Sequence, residues 1–234
     1  MWRLPVCLVT DAVLEGNDRL VFDQVINIKR MNTTNKRTYK DYNANLSFHN
    51  ADRVLAYKLT PFDQTIVIDI DLVVSTGNIP NLWEDQPLLV SRTAHNINGE
   101  PMSRDLTRLG LTTTPMYWAT ILCFDKRHGI VRKFFEAWEN ARLHYQYYAQ
   151  LFGFSKDLFR NDFAVSVAMH QVNAGLTTTE YDLPYSIPTA LTDIQVIDLE
   201  PLHLLHYLGN RWTDDLHILN KKSLLEAVCR LKGF

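Results

Sequence analysis

The chain has 234 residues, 46% of them hydrophobic, and 24 Lys and Arg against 26 Asp and Glu give a formal net charge of -2. This length and apolar content fit one large domain, residues 1–234, and exclude a disordered chain. Near-neutral charge excludes a broad nucleic-acid footprint or a basic membrane-binding surface.

Cys7, Cys123 and Cys229 are odd in number and far apart. No C-x-x-C pair occurs, which argues against a disulfide scaffold or a structural zinc site and fits a reducing, cytoplasmic setting. The segment Met1 to Pro5 has no signal-peptide pattern, and no run approaches the ~18 apolar residues of a membrane span.

In chain order, Pro5 to Asp11 reads as a buried strand ending on an acid. Leu14 to Tyr42 is polar and weakly periodic, with an exposed loop expected over Asn32 to Arg37. Ala51, Val54, Leu55, Lys58 and Leu59 have helical spacing, and Pro61-Phe62-Asp63 punctuates the entry to a strand over Thr65 to Val74. Further strands are expected at Pro87 to Val90 and at Tyr117 to Phe124. Two long helices follow, one placing Ile130, Val131, Phe134, Phe135, Trp138, Ala141, Tyr145 and Tyr148 on a core face, the other Phe159, Phe163, Val167 and Val172. Tyr185 to Pro188 reads as a connector, Ile194 to Leu199 as a short strand and Leu224 to Leu231 as a terminal helix. Alternating strands and helices predict an α/β fold with a mixed, mostly parallel central sheet and helices on both faces.

The chemistry concentrates in Thr65-Ile66-Val67-Ile68-Asp69-Ile70-Asp71-Leu72-Val73-Val74. A buried strand of this composition delivers Asp69 and Asp71 at its carboxyl end, where open α/β sheets bind ligands. Asp is depleted in strands and costly to bury unpaired, so the pair asks for a compensating charge, most simply a divalent cation. In a regular strand the two side chains point to opposite faces. They share an ion only where the chain bends or a ligand bridges the gap.

The segment from Arg53 to Thr65 that leads into these acids resembles glycogenin and related A-type glycosyltransferases. In that family a basic residue opens a helix, a turn follows, and an apolar strand ends in an Asp-x-Asp that holds manganese against a sugar-nucleotide diphosphate. The resemblance implies that Asp69, Ile70 and Asp71 line the donor site and that Arg53 stands where the family carries a donor-reaching Lys. A cation beside phosphate or sugar oxygens is physically apt.

Near the other end, His203-Leu204-Leu205-His206-Tyr207-Leu208-Gly209-Asn210-Arg211-Trp212 looks like the family's H-F-x-G element. By resemblance His206 is the third metal ligand, with His203 in reserve. A neutral imidazole suits Mn²⁺ better than Mg²⁺, which is the second choice of cofactor. Gly209 lets the backbone approach a diphosphate, and Arg211 offsets its charge, although the family's Lys aligns with Trp212. Arg160-Asn161-Asp162-Phe163 is similar to the family's D-Q helix start, which implies that Asp162 orients the sugar or acceptor at the catalytic centre. The bland alternative for Asp162 is a dipole-stabilising acid in a first helical turn.

Two departures stand out. The family's Asn-(Ser/Ala)-Gly strand is Tyr117-Trp118-Ala119-Thr120 here, keeping only the small residue. The chain also opens at what reads as the family's second strand, without the usual first strand and helix. The resulting expectation is a metal-dependent glycosyltransferase that moves a sugar from a nucleoside-diphosphate donor to an acceptor hydroxyl. The alternatives are a haloacid-dehalogenase-like phosphatase with Asp69 as nucleophile and Asp71 as acid/base, and a sugar-binding module without turnover.

Overall fold

In the computed structural model, the described residues are 4–14, 16, 22–29, 36–39, 44–47, 51–68, 72–74, 86–92, 94–96, 107–176, 178–183, 187–189 and 204–206. Strand β1 (Cys7–Thr10) pairs in parallel with β2 (Gln24–Asn27), and β3 (Lys36–Tyr39) pairs antiparallel with β4 (Ala44–Ser47). Lys36 and Arg37, read from sequence as loop, therefore open a strand. Backbone pairing can hold polar residues in a hairpin that carries no hydrophobic period, so the pattern hides it.

A 3₁₀ helix, Ala51–Leu55, runs into the short helix α1 (Ala56–Leu59), which ends just ahead of Pro61. The expected long strand is two strands, β5 (Gln64–Ile68) and β6 (Leu72–Val74). They are followed by β7 (Leu88–Ser91), β8 (Ala94–Asn96) and β9 (Trp118–Asp125). One sheet has the order β5-β9-β7; a second has the order β6-β11-β10-β8, where β10 is Ile187–Thr189 and β11 is Leu204–His206. The chain thus passes from the first sheet to the second twice, between Ile68 and Leu72 and between Ser91 and Ala94.

The class is mixed α/β, as expected, but the described pairings are not mostly parallel. Both pairings of β9 are antiparallel, as is β6 with β11, whereas β8–β10 and β10–β11 are parallel. All eight residues of β9 are buried. A strand covered on both faces reads as a continuous apolar run whichever way its neighbours point. Pro188 lies inside β10, opposite His95, where the sequence suggests a connector. β10 is flanked by β8 and β11, so Pro188 leaves that strand one ladder donor short.

Helices α2 (Gly129–Leu143), α3 (Tyr145–Phe152) and α4 (Asn161–Val172) supply the rest of the core. The first expected helix is broken at His144, whose φ of -108° and ψ of 33° leave the helical region. Val131, Phe134, Phe135, Trp138 and Ala141 of α2 are buried, in one cluster with Ala164, Val165 and Ala168 of α4. Phe124 of β9 meets the Phe135 ring edge-on at 4.9 Å, and Phe135 stacks on Trp138 at 5.6 Å. Burial of each such side chain stabilises the fold by about 1.5–3 kcal/mol. The aromatic stripe is core, as its spacing predicts.

The expected strand at 194–199 and helix at 224–231 lie outside the described residues. Among the described residues no helix is long and apolar enough to cross a membrane.

Candidate active site

The β5-β9-β7 sheet has two chemically different rims. At one, β5 begins at Gln64 opposite Asp125; at the other, β5 ends at Ile68 opposite Ile121, and β7 ends at Ser91 opposite Trp118 after a register break at Val90/Ser91. Bulges of this kind often flank functional sites. Two of the sequence-derived residues, Arg53 and Asp162, meet near the second rim.

Ala119 lies two residues along β9 from the Ile68–Ile121 rung. Its N–H donates to Oδ1 of Asp162 at 3.0 Å, and its carbonyl accepts from Nη1 of Arg53 at 2.5 Å. Main-chain groups buried in protein need partners, and here two charged side chains supply them. Arg53 comes from the 3₁₀ helix and Asp162 from the first turn of α4. Ala119 is 3% exposed, and its side chain is a single methyl group.

The expectation that Asp162 opens a helix holds, but its carboxylate does not cap α4. Oδ1 is used on Ala119, and Oδ2 accepts from Nη2 of Arg160 at 2.9 Å. Ser166, one turn on, locks the arrangement: its hydroxyl donates to the Asp162 carbonyl at 2.6 Å and accepts from the Tyr117 N–H at 2.7 Å. These bonds, made between α4 and the residue just before β9, explain why a serine sits inside the apolar run from Phe163 to Met169. Arg160 and Ser166 are missed by motif reading. A cation two residues before a helix-opening acid was the available signal.

Beside this rim, Arg92 Nη1 reaches Asp182 Oδ2 at 2.9 Å and the Thr178 carbonyl at 3.2 Å. Val90 carries further main-chain bonds across the same seam: its N–H donates to the Tyr181 carbonyl at 2.8 Å, and its carbonyl accepts from the Leu183 N–H at 2.9 Å. Burial pushes the Tyr117 hydroxyl up to about 12, helped by the Asp182 charge. The seam fastens the chain leaving α4 to the end of β7.

Asp69, Ile70 and Asp71 lie outside the described residues, as do His203, Gly209 and Arg211. The backbone of His206 is described, and it stands directly opposite Leu72 in the antiparallel β6–β11 pair. Among the described residues no group of three His, Cys, Asp or Glu side chains forms a metal site. The structure thus joins Arg53 and Asp162 at Ala119, and brings the strand of His206 beside the one that follows Asp71.

The sequence matches no protein-family model and no curated protein. Among solved structures the chain is similar to the galactosyltransferase LgtC in complex with donor and acceptor sugar analogs, at 14% identity and a TM-score of 0.40, over 78% of this chain and 67% of that one. A likeness of that size assigns no residue a role.

Proposed function

We propose that the chain is a metal-dependent glycosyltransferase that takes a sugar from a nucleoside-diphosphate donor to an acceptor hydroxyl. The observation that carries this reading is the pairing of His206 with Leu72. Asp71 directly precedes Leu72 in the chain. Opposed residues of an antiparallel pair share a face and neighbours along a strand alternate, so in this reading the chain bends just ahead of β6 and turns the Asp71 carboxylate to the side of His206, where both serve one ion. The donor set of Asp69, Asp71 and His206, two carboxylates and an imidazole, fits manganese, with magnesium less suited to the nitrogen.

Bound manganese supplies Lewis-acid neutralisation of the departing diphosphate. The chain's own residues supply the rest. Arg53, fixed on the Ala119 carbonyl at the rim where β5 ends, adds positive charge beside the donor. Asp162, held on the Ala119 N–H, presents an acceptor to the sugar or the incoming hydroxyl. Gly209 and Arg211 follow β11 by a few residues and line the diphosphate in this reading. Ile70, between the two acids, contributes backbone to the donor site.

Incubation with Mn²⁺ and a panel of sugar nucleotides tests the proposal. Metal-dependent release of nucleoside diphosphate supports it. Turnover of phosphomonoesters alone makes the chain a phosphatase, and binding with no product makes it a sugar-binding module.

A further inference from the structure

Both oxygens of Asp162 are engaged, and Arg160 holds one of them. The Arg160 guanidinium is itself fixed: it lies over the Phe163 ring, 4.9 Å from its centroid, while donating to Asp162. Its backbone is fixed too, because the Arg160 N–H donates to the Tyr145 hydroxyl at 3.2 Å and that hydroxyl donates to the Leu158 carbonyl at 3.0 Å. Burial pushes the Tyr145 hydroxyl well above its ordinary range, so it remains a proton donor there. The Arg160 and Asp162 side chains are 27% and 20% exposed. With most of each side chain out of solvent, the charge-assisted bond both offsets the carboxylate's charge and fixes its direction.

A cation at the N-terminal end of α4 also opposes the helix dipole. Arg160 stands at that end, in the extended residue before Asn161, and makes no side-chain cap bond. Neither helix propensity nor dipole electrostatics accounts for an arginine at this position. Its geometry relative to Asp162 does.

We propose that Arg160 is a positioning residue of the sugar site: it sets the Asp162 carboxylate so that its remaining lone pairs accept hydrogen bonds from neutral hydroxyls of the bound sugar. This inference rests on the transferase reading above. A carboxylate offers about four lone-pair directions, and the Ala119 N–H and Arg160 occupy two of them. The remainder act as acceptors only, which suits the hydroxyl donors of a sugar. In this role Asp162 is a binding group.

The test compares KM and kcat for a sugar nucleotide that the unmodified chain turns over, using Arg160→Gln, Arg160→Lys, Asp162→Asn and the double variant Arg160→Gln/Asp162→Asn. Loss of a charge-assisted contact made equally in ground and transition states raises KM about tenfold with a smaller change in kcat. Arg160→Lys recovers most of that loss, and the double variant is no worse than Asp162→Asn alone, because the two residues act as one unit. Arg160→Met keeps the stem packed on Phe163 while removing the charge, and gives the same readout should the Gln variant not fold. A folded Arg160 variant with unchanged KM, or fully additive losses in the double variant, overturns the inference and leaves the transferase reading standing. If the unmodified chain neither binds nor turns over any sugar nucleotide, the reading falls and this inference falls with it.

Discussion

Arg53 and Asp162, 109 positions apart in the sequence, hold the carbonyl and the N–H of the same residue, Ala119. The link explains how a 3₁₀ helix and the start of α4 are registered on one strand. Removing Arg53 leaves the carbonyl of buried Ala119 without this donor. Arg53→Ala is expected to lower stability by about 1–3 kcal/mol, and Arg53→Lys to recover part of it, since a single ammonium replaces a planar fork. Urea denaturation measures the first effect. Donor turnover should fall further than the lost stability accounts for, and equal turnover in folded Arg53→Ala would remove it from the site.

The metal assignment predicts a shared loss. Asp71→Ala and His206→Ala should each weaken Mn²⁺ binding by about tenfold to a hundredfold or more, as removal of a ligand or its close support does in known metal sites. Titration followed by the Mn²⁺ paramagnetic signal measures this directly. Undiminished binding in a folded His206→Ala chain would leave the two carboxylates without their proposed partner.

Gly110 is a structural test independent of function. Its φ is +58°, and a Cβ there would lie 2.3 Å from the Phe152 carbonyl oxygen and 2.8 Å from the Gly153 carbonyl carbon. Those are backbone atoms at the end of α3, and Leu111 already donates to the same Phe152 carbonyl at 3.0 Å. Gly110→Ala should cost about 2–4 kcal/mol from the strained φ and the clash. Gly129, at the start of α2, has nothing within 4 Å of an added Cβ. Gly129→Ala should instead stabilise by about 0.4–1 kcal/mol. Thermal melts of the pair check the contrast.

The opposite rim carries a pH prediction. Hydrogen bonds from the Arg127 side chain, with smaller help from its backbone N–H and from Gln64, hold Asp125 down to about 2. A carboxyl lowered in the folded state contributes stability that is present above its unfolded value near 4 and is lost as pH falls towards 2. Arg127→Ala should therefore be less stable than the unmodified chain at pH 6, with the gap closing between about pH 4 and pH 2. The Arg127 side chain is 60% exposed, so added salt should shrink the gap at neutral pH. A gap that persists unchanged at pH 2 would mean that Arg127 acts by packing.

The sequence by itself determined the local elements whose signals are local. The helical spacing from Ile130 to Ala141 gives α2 and its core face, the β-branched run from Thr65 to Ile68 gives β5, and Asp162 marks the opening of α4. It also singled out Arg53 and Asp162 by their neighbours in the chain. Pairing across the chain is a different matter, because strand direction and register depend on contacts between residues far apart in sequence, and a buried apolar strand looks alike in either orientation. Only the tertiary structure decided that β9 is flanked by antiparallel strands, that the run after Ile68 passes into a second sheet, and that Leu72 meets His206 there. It alone decided that Arg53 and Asp162 converge on Ala119, since the main-chain groups of that residue need partners and the fold brings these two within reach.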